Sequence, residues 1–131
     1  MEGETIFESV VLKMLNAPID EVIANLRVLG LLAQKQQCLT CSEYMKEQKV
    51  SDHIDKNRWY CANLRCETYK TSLPIRHGSV FLQFRKPLSR IFLYIYCWDT
   101  SKRIKDVCRD YYISRPTLTA IYKLLRSKVS D

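Results

Sequence analysis

The chain has 131 residues, 47% of them hydrophobic, with a formal net charge of +7 and six cysteines. That length can bury one modest core or two small modules, and that hydrophobic share excludes a disordered chain. No apolar run nears the ~18 residues of a membrane span, and the acidic N-terminus lacks the basic start of a secretory signal, so a disulfide framework is the weaker account of the cysteines.

The charge is uneven. Residues 1–37 carry three basic and five acidic side chains, whereas residues 38–131 carry eighteen basic and nine acidic. A solvated basic surface is the bland explanation. Concentration of the excess in one part favours a polyanionic partner.

From the N-terminus, Thr5 to Asn16 sets Ile6, Val10, Leu12 and Leu15 at near-helical spacing, with Val11 and Met14 beside them. This predicts a short amphipathic helix. Pro18 suits the first turn of a second helix, about Ile19 to Leu29, with Ile19, Val22, Ile23, Leu26 and Leu29 on one face. Gly30 is its expected C-terminal cap. The acidic outer faces read as a packing or self-association piece, and Gln34 to Gln37 as a polar connector.

Cys38-Leu-Thr-Cys41 is a Cys-x2-Cys knuckle, and Cys61-Ala-Asn-Leu-Arg-Cys66 a Cys-x4-Cys pair. A tight turn can aim two sulfurs at one point. Two facing turns then offer the thiolate tetrahedron that Zn2+ accepts, so Cys38, Cys41, Cys61 and Cys66 are the expected ligands of a four-cysteine zinc ribbon. Iron also occupies four thiolates. The charged segment 42–60 is long enough for a hairpin and has no apolar core, so the metal would supply cohesion. His53 reads as a surface residue, because four cysteines already fill the shell. Arg58-Trp59-Tyr60 and Thr68 to Ile75 read as strands flanking the second knuckle, the latter held to an edge by Pro74. Cys97 and Cys108 read as core residues.

Next comes Arg76-His77-Gly78-Ser79-Val80-Phe81. Gly78 allows a turn of positive φ, Phe81 anchors the loop, and His77 has no partner at a telling spacing for catalysis. Leu88 to Trp98 is almost wholly apolar and predicts a buried helix. Asp99-Thr100-Ser101 is expected to break it and cap a helix from Lys102 to Tyr111. Ser114 is a good N-cap and Pro116 fits the first turn of a last helix. There Leu118, Ile121, Leu124 and Leu125 form the buried stripe, leaving Arg115, Pro116, Thr119, Tyr122, Lys123 and Arg126 outward or partly so. This is the helix-turn-helix arrangement, whose second helix enters the major groove by its N-terminal end. Arg115 could pair with guanine, Thr119 could reach a base edge or phosphate, and Lys123 and Arg126 would hold phosphates. Ser114 and Thr117 complete the expected DNA contacts. Arg76, Arg85, Lys86, Lys102 and Arg103 are candidates for phosphates. A plain three-helix bundle with a solvated basic face is the alternative.

Taken together, Gly30-Leu31-Leu32, Cys38-x2-Cys41, Trp59-Tyr60-Cys61-x4-Cys66, Ile75-Arg76-His77-Gly78-Ser79-Val80-Phe81, the Ile91 to Trp98 helix and Ile113-Ser114-Arg115-Pro116-Thr117 resemble the N-terminal region of Merlin-type cut-and-paste transposases and their bacterial insertion-sequence relatives. The likeness spans roughly residues 20–128. It implies a zinc-dependent module that binds double-stranded DNA at transposon terminal inverted repeats. In that family a DDE/DDD nuclease domain using Mg2+ or Mn2+ follows. This chain stops at Asp131, and Asp99, Asp106 and Asp110 are crowded into one cap and helix. They cannot stand for carboxylates drawn from separate strands around paired ions. The chain is therefore expected not to be an enzyme, whether fragment or domesticated remnant.

The expected fold is α+β, mostly α: helices over 1–37 with possible dimerisation, a zinc ribbon with a β-hairpin over 38–75, and a three-helix DNA-binding unit over 76–131. A homodimer would suit paired inverted sites. No membrane or small-molecule substrate is expected, and the location would be nuclear in a eukaryote, otherwise cytoplasmic. The rival reading is a protein-interaction or dimerisation module of a domesticated, transposase-derived chromatin or transcription factor.

Overall fold

The computed structural model describes residues 2–130, with side chains described over residues 9–127. It is α+β and mostly helical, as expected, with five α-helices and one three-stranded antiparallel sheet among the described residues. Two compact units form. One joins Met1–Leu15 to Ser89–Asp131; the other is Asn16–Leu88.

Helix α1 spans Glu2–Leu15. Its buried residues are Val11 and Met14, whereas Val10 and Leu12 are 43% and 39% exposed. At about 100° per residue, positions 10 and 12 fall on different sides, while 11 and 14 share one. The expected stripe through Val10 and Leu12 is therefore corrected, and the Ile6 side chain lies outside those described.

Helix α2 spans Ile19–Val28 and buries Val22, Ile23 and Leu26. Pro18 stands at its N-cap, where its carbonyl accepts the N–H groups of Glu21 at 3.0 Å and Val22 at 3.1 Å. Asp20 and Glu21 favour the positive end of the helix. Gly30, at φ +77°, closes the other end: Leu31 N–H donates to the Leu26 carbonyl at 2.9 Å and Gly30 N–H to Arg27 at 3.0 Å. This paired closure needs the left-handed residue that glycine supplies freely.

Strands β1 (Lys46–Lys49), β2 (Asn57–Tyr60) and β3 (Ser72–Pro74) lie in that order, with Trp59 opposite Glu47 on one side and Leu73 on the other. Pro74 sits on an edge strand, as its missing N–H requires. Along β2, Asn57 and Trp59 are buried and alternate with half-exposed Arg58 and Tyr60. Polar contacts tie α2 to this sheet. Lys49 Nζ and Asn57 Nδ2 donate to the Asp20 carboxylate at 3.0 and 3.2 Å, Arg27 donates to Glu47 at 2.8 Å, and the Arg27 guanidinium lies 5.1 Å from the Trp59 ring centroid. Those contacts, invisible in periodicity, explain why α2 packs with the cysteine module.

A 3-10 turn, Val80–Gln83, precedes α3 (Leu88–Asp99), α4 (Ile104–Tyr111) and α5 (Arg115–Ser130). Helix α3 buries Leu88, Ile91, Phe92, Leu93, Tyr94, Tyr96 and Cys97, while Trp98 near its end is half-buried. Asp99-Thr100-Ser101 does not cap α4, whose N-cap is Arg103 without a side-chain bond. It closes α3 instead. Thr100 Oγ1 donates to the Tyr96 carbonyl at 2.9 Å, Lys102 N–H reaches Cys97 at 2.9 Å, and Ser101 takes φ +61°. Helix α4 accordingly begins two residues later than expected.

Candidate functional site

The four knuckle cysteines come together although twenty-eight positions separate the first from the last. The first knuckle is closed by Cys38 N–H donating to Glu43 O at 2.8 Å, Ser42 N–H to Cys38 O at 3.0 Å, and a bridge between Gln37 and Tyr44. The second follows β2 directly. Cys61 N–H donates to Thr71 O at 2.9 Å and Lys70 N–H to Cys61 O at 3.0 Å, bending residues 61–71 back on themselves. Ser42 and Lys70 adopt φ +65° and +71° at the ends of these turns.

The resulting geometry is that of one shared ligand. Cys38 and Cys66 sulfurs lie 3.8 Å apart, as do those of Cys41 and Cys61, and all four sulfurs fall within 4.8 Å of one another. None is disulfide-bonded. Four sulfurs at ~2.3 Å from a common tetrahedral centre stand about 3.8 Å apart along each edge. The donor set and spacing therefore suit a metal ion, and His53 lies outside the cluster.

Local dipoles prepare the sulfurs unequally. Backbone N–H groups of Cys41 and Thr40 hold the Cys38 thiol down at about 6. At Cys61 the Asn63 N–H also pulls downward, but burial and the neighbouring sulfurs of Cys38, Cys41 and Cys66 outweigh it and push the thiol up to about 12. Crowded thiolates oppose one another's ionisation, and a cation at their centre relieves this. Thr68 adds its N–H at 3.4 Å and its hydroxyl at 3.3 Å to the Cys66 sulfur, a contribution that spacing alone does not reveal.

Arg76 requires a correction. Expected on a phosphate, it is 4% exposed and fully engaged inside the protein. Its Nε and Nη2 each donate to the Asp55 carboxylate at 2.7 Å. Its remaining hydrogens go to the carbonyls of Phe81 at 3.3 Å, Phe84 at 2.7 Å and Lys86 at 2.7 Å. Arg76 is thus the strut of the loop from 76 to 86, over which Gly78 turns at φ +78° and Phe81 is fully buried. Arg85 and Lys86 are exposed beside it.

In the helical unit, α4 and α5 pack together across a three-residue turn, Tyr112-Ile113-Ser114. Tyr112 takes the left-handed conformation, φ +55°, and Ile113 is buried. Ser114 caps α5: its Oγ accepts Thr117 N–H at 3.4 Å and donates to Thr117 Oγ1 at 2.7 Å. The expected buried stripe holds at Leu118, Ile121 and Leu125, with Leu124 half-buried. Arg115, Thr119, Lys123 and Arg126 are exposed, and Thr117 is half-buried behind the cap.

Tyr122 is also corrected. It is 8% exposed, and its hydroxyl donates to the Lys102 carbonyl at 3.1 Å. Burial pushes its pKa up to about 12, so it stays a donor. Of the other basic candidates, Arg103 is exposed but pairs with Asp106 at 3.3 Å, while Lys102 is half-buried. Among the described residues no helix is long and apolar enough to cross a membrane. No protein-family model, curated protein or solved structure matches the chain.

Proposed function

We propose that this chain is a zinc-dependent DNA-binding module, of the kind that holds the terminal inverted repeats of a cut-and-paste transposon. The observation that carries the reading is the α4–turn–α5 arrangement. A serine-capped helix, fixed by Leu118, Ile121 and Leu125, leaves Arg115, Thr119, Lys123 and Arg126 exposed at spacings of four, four and three residues. Such spacings share one helix face. Small and cationic side chains there match the edge and backbone of a major groove.

In this reading Arg115 reads a base, Thr119 contacts a base edge or phosphate, and Lys123 and Arg126 hold phosphates. Zinc is the metal assigned to the cysteines, because four thiolates in a tetrahedron make a closed structural site. Two copies would occupy a paired inverted site. Binding, not strand cleavage, is the activity assigned. Asp106 and Asp110 are engaged by Arg103 and Arg109, and they do not gather into a two-metal cluster among the described residues.

Fluorescence anisotropy with a labelled inverted-repeat duplex tests this. Affinity should fall steeply with salt, with a slope of about −0.9 per neutralised phosphate. Arg115→Ala should cost about 1–3 kcal/mol and relax specificity at one base pair, while Lys123→Ala should reduce the salt slope by about one. Chelation should weaken binding through the loss of Arg85 and Lys86, phosphate candidates that belong to the cysteine unit. Negligible affinity at low salt, or an Arg115→Ala protein that binds unchanged, would refute the reading.

A further inference from the structure

Within the helical unit, the end of α3, the loop after it, the start of α4 and one side of α5 line an open cavity of about 510 Å3. That size lies within the ~300–1,000 Å3 of small-ligand sites. Its aromatic residues are Trp98, half-buried, and Tyr122. Because the Tyr122 hydroxyl is committed to the Lys102 carbonyl, that ring is a fixed wall and not a polar contact for a ligand.

The cavity's charge has one sign. Lys102, Arg103, Lys105 and Arg115 line it, and no acidic side chain does. Elsewhere on α4 the cations are balanced: Arg109 pairs with Asp106 at 3.5 Å and Asp110 at 3.0 Å. Here only Arg103 has a carboxylate, and among the described residues Lys102, Lys105 and Arg115 form no ion pair. Aromatic faces with unbalanced cations around them match a planar ring that carries phosphate. Arg115 belongs both to this lining and to the exposed start of α5.

The geometry points to a nucleotide site: one unpaired nucleotide of a DNA strand, its base stacked on Trp98 and its phosphate held by Lys102 and Lys105. The strand context rests on the duplex-binding reading; the stacking chemistry does not. The chain then prefers duplexes that carry an unpaired base over fully paired ones.

Anisotropy titrations of the full chain compare a blunt duplex, the same duplex with one unpaired nucleotide, and that duplex with the unpaired unit made abasic. The unpaired base should bind about tenfold tighter than the abasic unit, within the range of one stacked base. Trp98→Ala should erase that gap and leave blunt-duplex affinity unchanged. Trp98→Phe should keep most of the gap, and the surface change Lys105→Glu should weaken the two DNAs with an unpaired unit more than the blunt duplex, without unfolding the chain. Equal binding of base and abasic DNA, or a gap that survives Trp98→Ala, overturns the site. So does a Trp98→Ala protein that loses all three DNAs alike. Displacement by free dAMP at concentrations matching the DNA overturns the strand assignment. Blunt-duplex binding without a gap removes only this site, whereas a Trp98-dependent gap without blunt-duplex binding removes only the helix-turn-helix reading.

Discussion

The unit Asn16–Leu88 contains Asp55, Asn57 and Arg76, the buried polar and charged side chains identified among the described residues, together with four clustered cysteines. The unit of Met1–Leu15 and Ser89–Asp131 buries Val11, Met14, Ile91, Phe92, Leu93, Tyr94, Val107, Leu118, Ile121 and Leu125. The first has strands of three or four residues, and every side chain of β1 is exposed. The second has helices with continuous buried stripes. Each fully buried aliphatic or aromatic side chain contributes about 1.5–3 kcal/mol, so the helical unit can rely on transfer from water. The cysteine unit has fewer such groups and uses directional links: sulfurs, a buried ion pair and backbone-closed turns. One chain thus holds its two parts by different physics, and they should fail under different insults.

The largest expected effect is on the sulfurs. Structural zinc supplies about 10–16 kcal/mol in small modules, comparable with the whole ~5–15 kcal/mol stability of a domain. Chelation, or Cys61→Ser, should therefore unfold residues 16–88 and leave the α4–α5 pair folded. Amide NMR spectra check this: resonances of 16–88 should collapse to random-coil positions while those of 104–127 persist. Collapse of both sets together, or of neither, breaks the comparison.

A smaller effect within the same unit is expected from Asp55→Ala. It leaves the Arg76 guanidinium, with 5% of its side chain exposed, without its carboxylate. Removing one partner of a buried pair costs about 3–5 kcal/mol. Replacing both, as Asp55→Leu with Arg76→Met, should recover much of that loss, because neither charge is then stranded. Urea unfolding of the protein separates the outcomes. Equal losses in the single and double variants would show that the three carbonyls, not the carboxylate, are what Arg76 holds in place.

Arg76 also marks where reading the sequence runs out. Spacing made the knuckles legible, because two close cysteine pairs leave few other uses for four thiols. Gly30 and Gly78 were legible through their backbone freedom, and Ser114 through its hydroxyl. Arg76 was not, since its partner Asp55 lies 21 residues back and an ion pair has no periodicity. The hairpin expected within 42–60 is there as β1 and β2, but the bounds of β1 were not legible: Lys-Glu-Gln-Lys has no apolar alternation and is ordered by backbone pairing with β2. Tyr122 looked polar enough to face water until the Lys102 carbonyl gave its hydroxyl a partner. The left-handed turns at Ser42, Lys56, Lys70, Ser101 and Tyr112 carry no glycine to announce them.

The smallest expected effect lies at the start of α5, where folding and binding can be separated. Ser114→Ala removes the oxygen that accepts Thr117 N–H and the hydroxyl that donates to Thr117 Oγ1. Loss of an N-cap costs typically about 1 kcal/mol, so the helical unit should weaken slightly while the cysteine unit is unaffected. Ser114→Asp is the sharper variant. Its carboxylate can take the same N–H, and a negative charge at a helix N-terminus adds about 0.3–1 kcal/mol. Thermal unfolding should then show wild-type stability or better. If the start of α5 faces DNA, that charge must also repel phosphate, so Ser114→Asp should bind duplex more weakly than Ser114→Ala despite being more stable. The opposite ranking would mean that α5 meets its partner through another face, and that the exposed row from Arg115 to Arg126 is only a solvated surface.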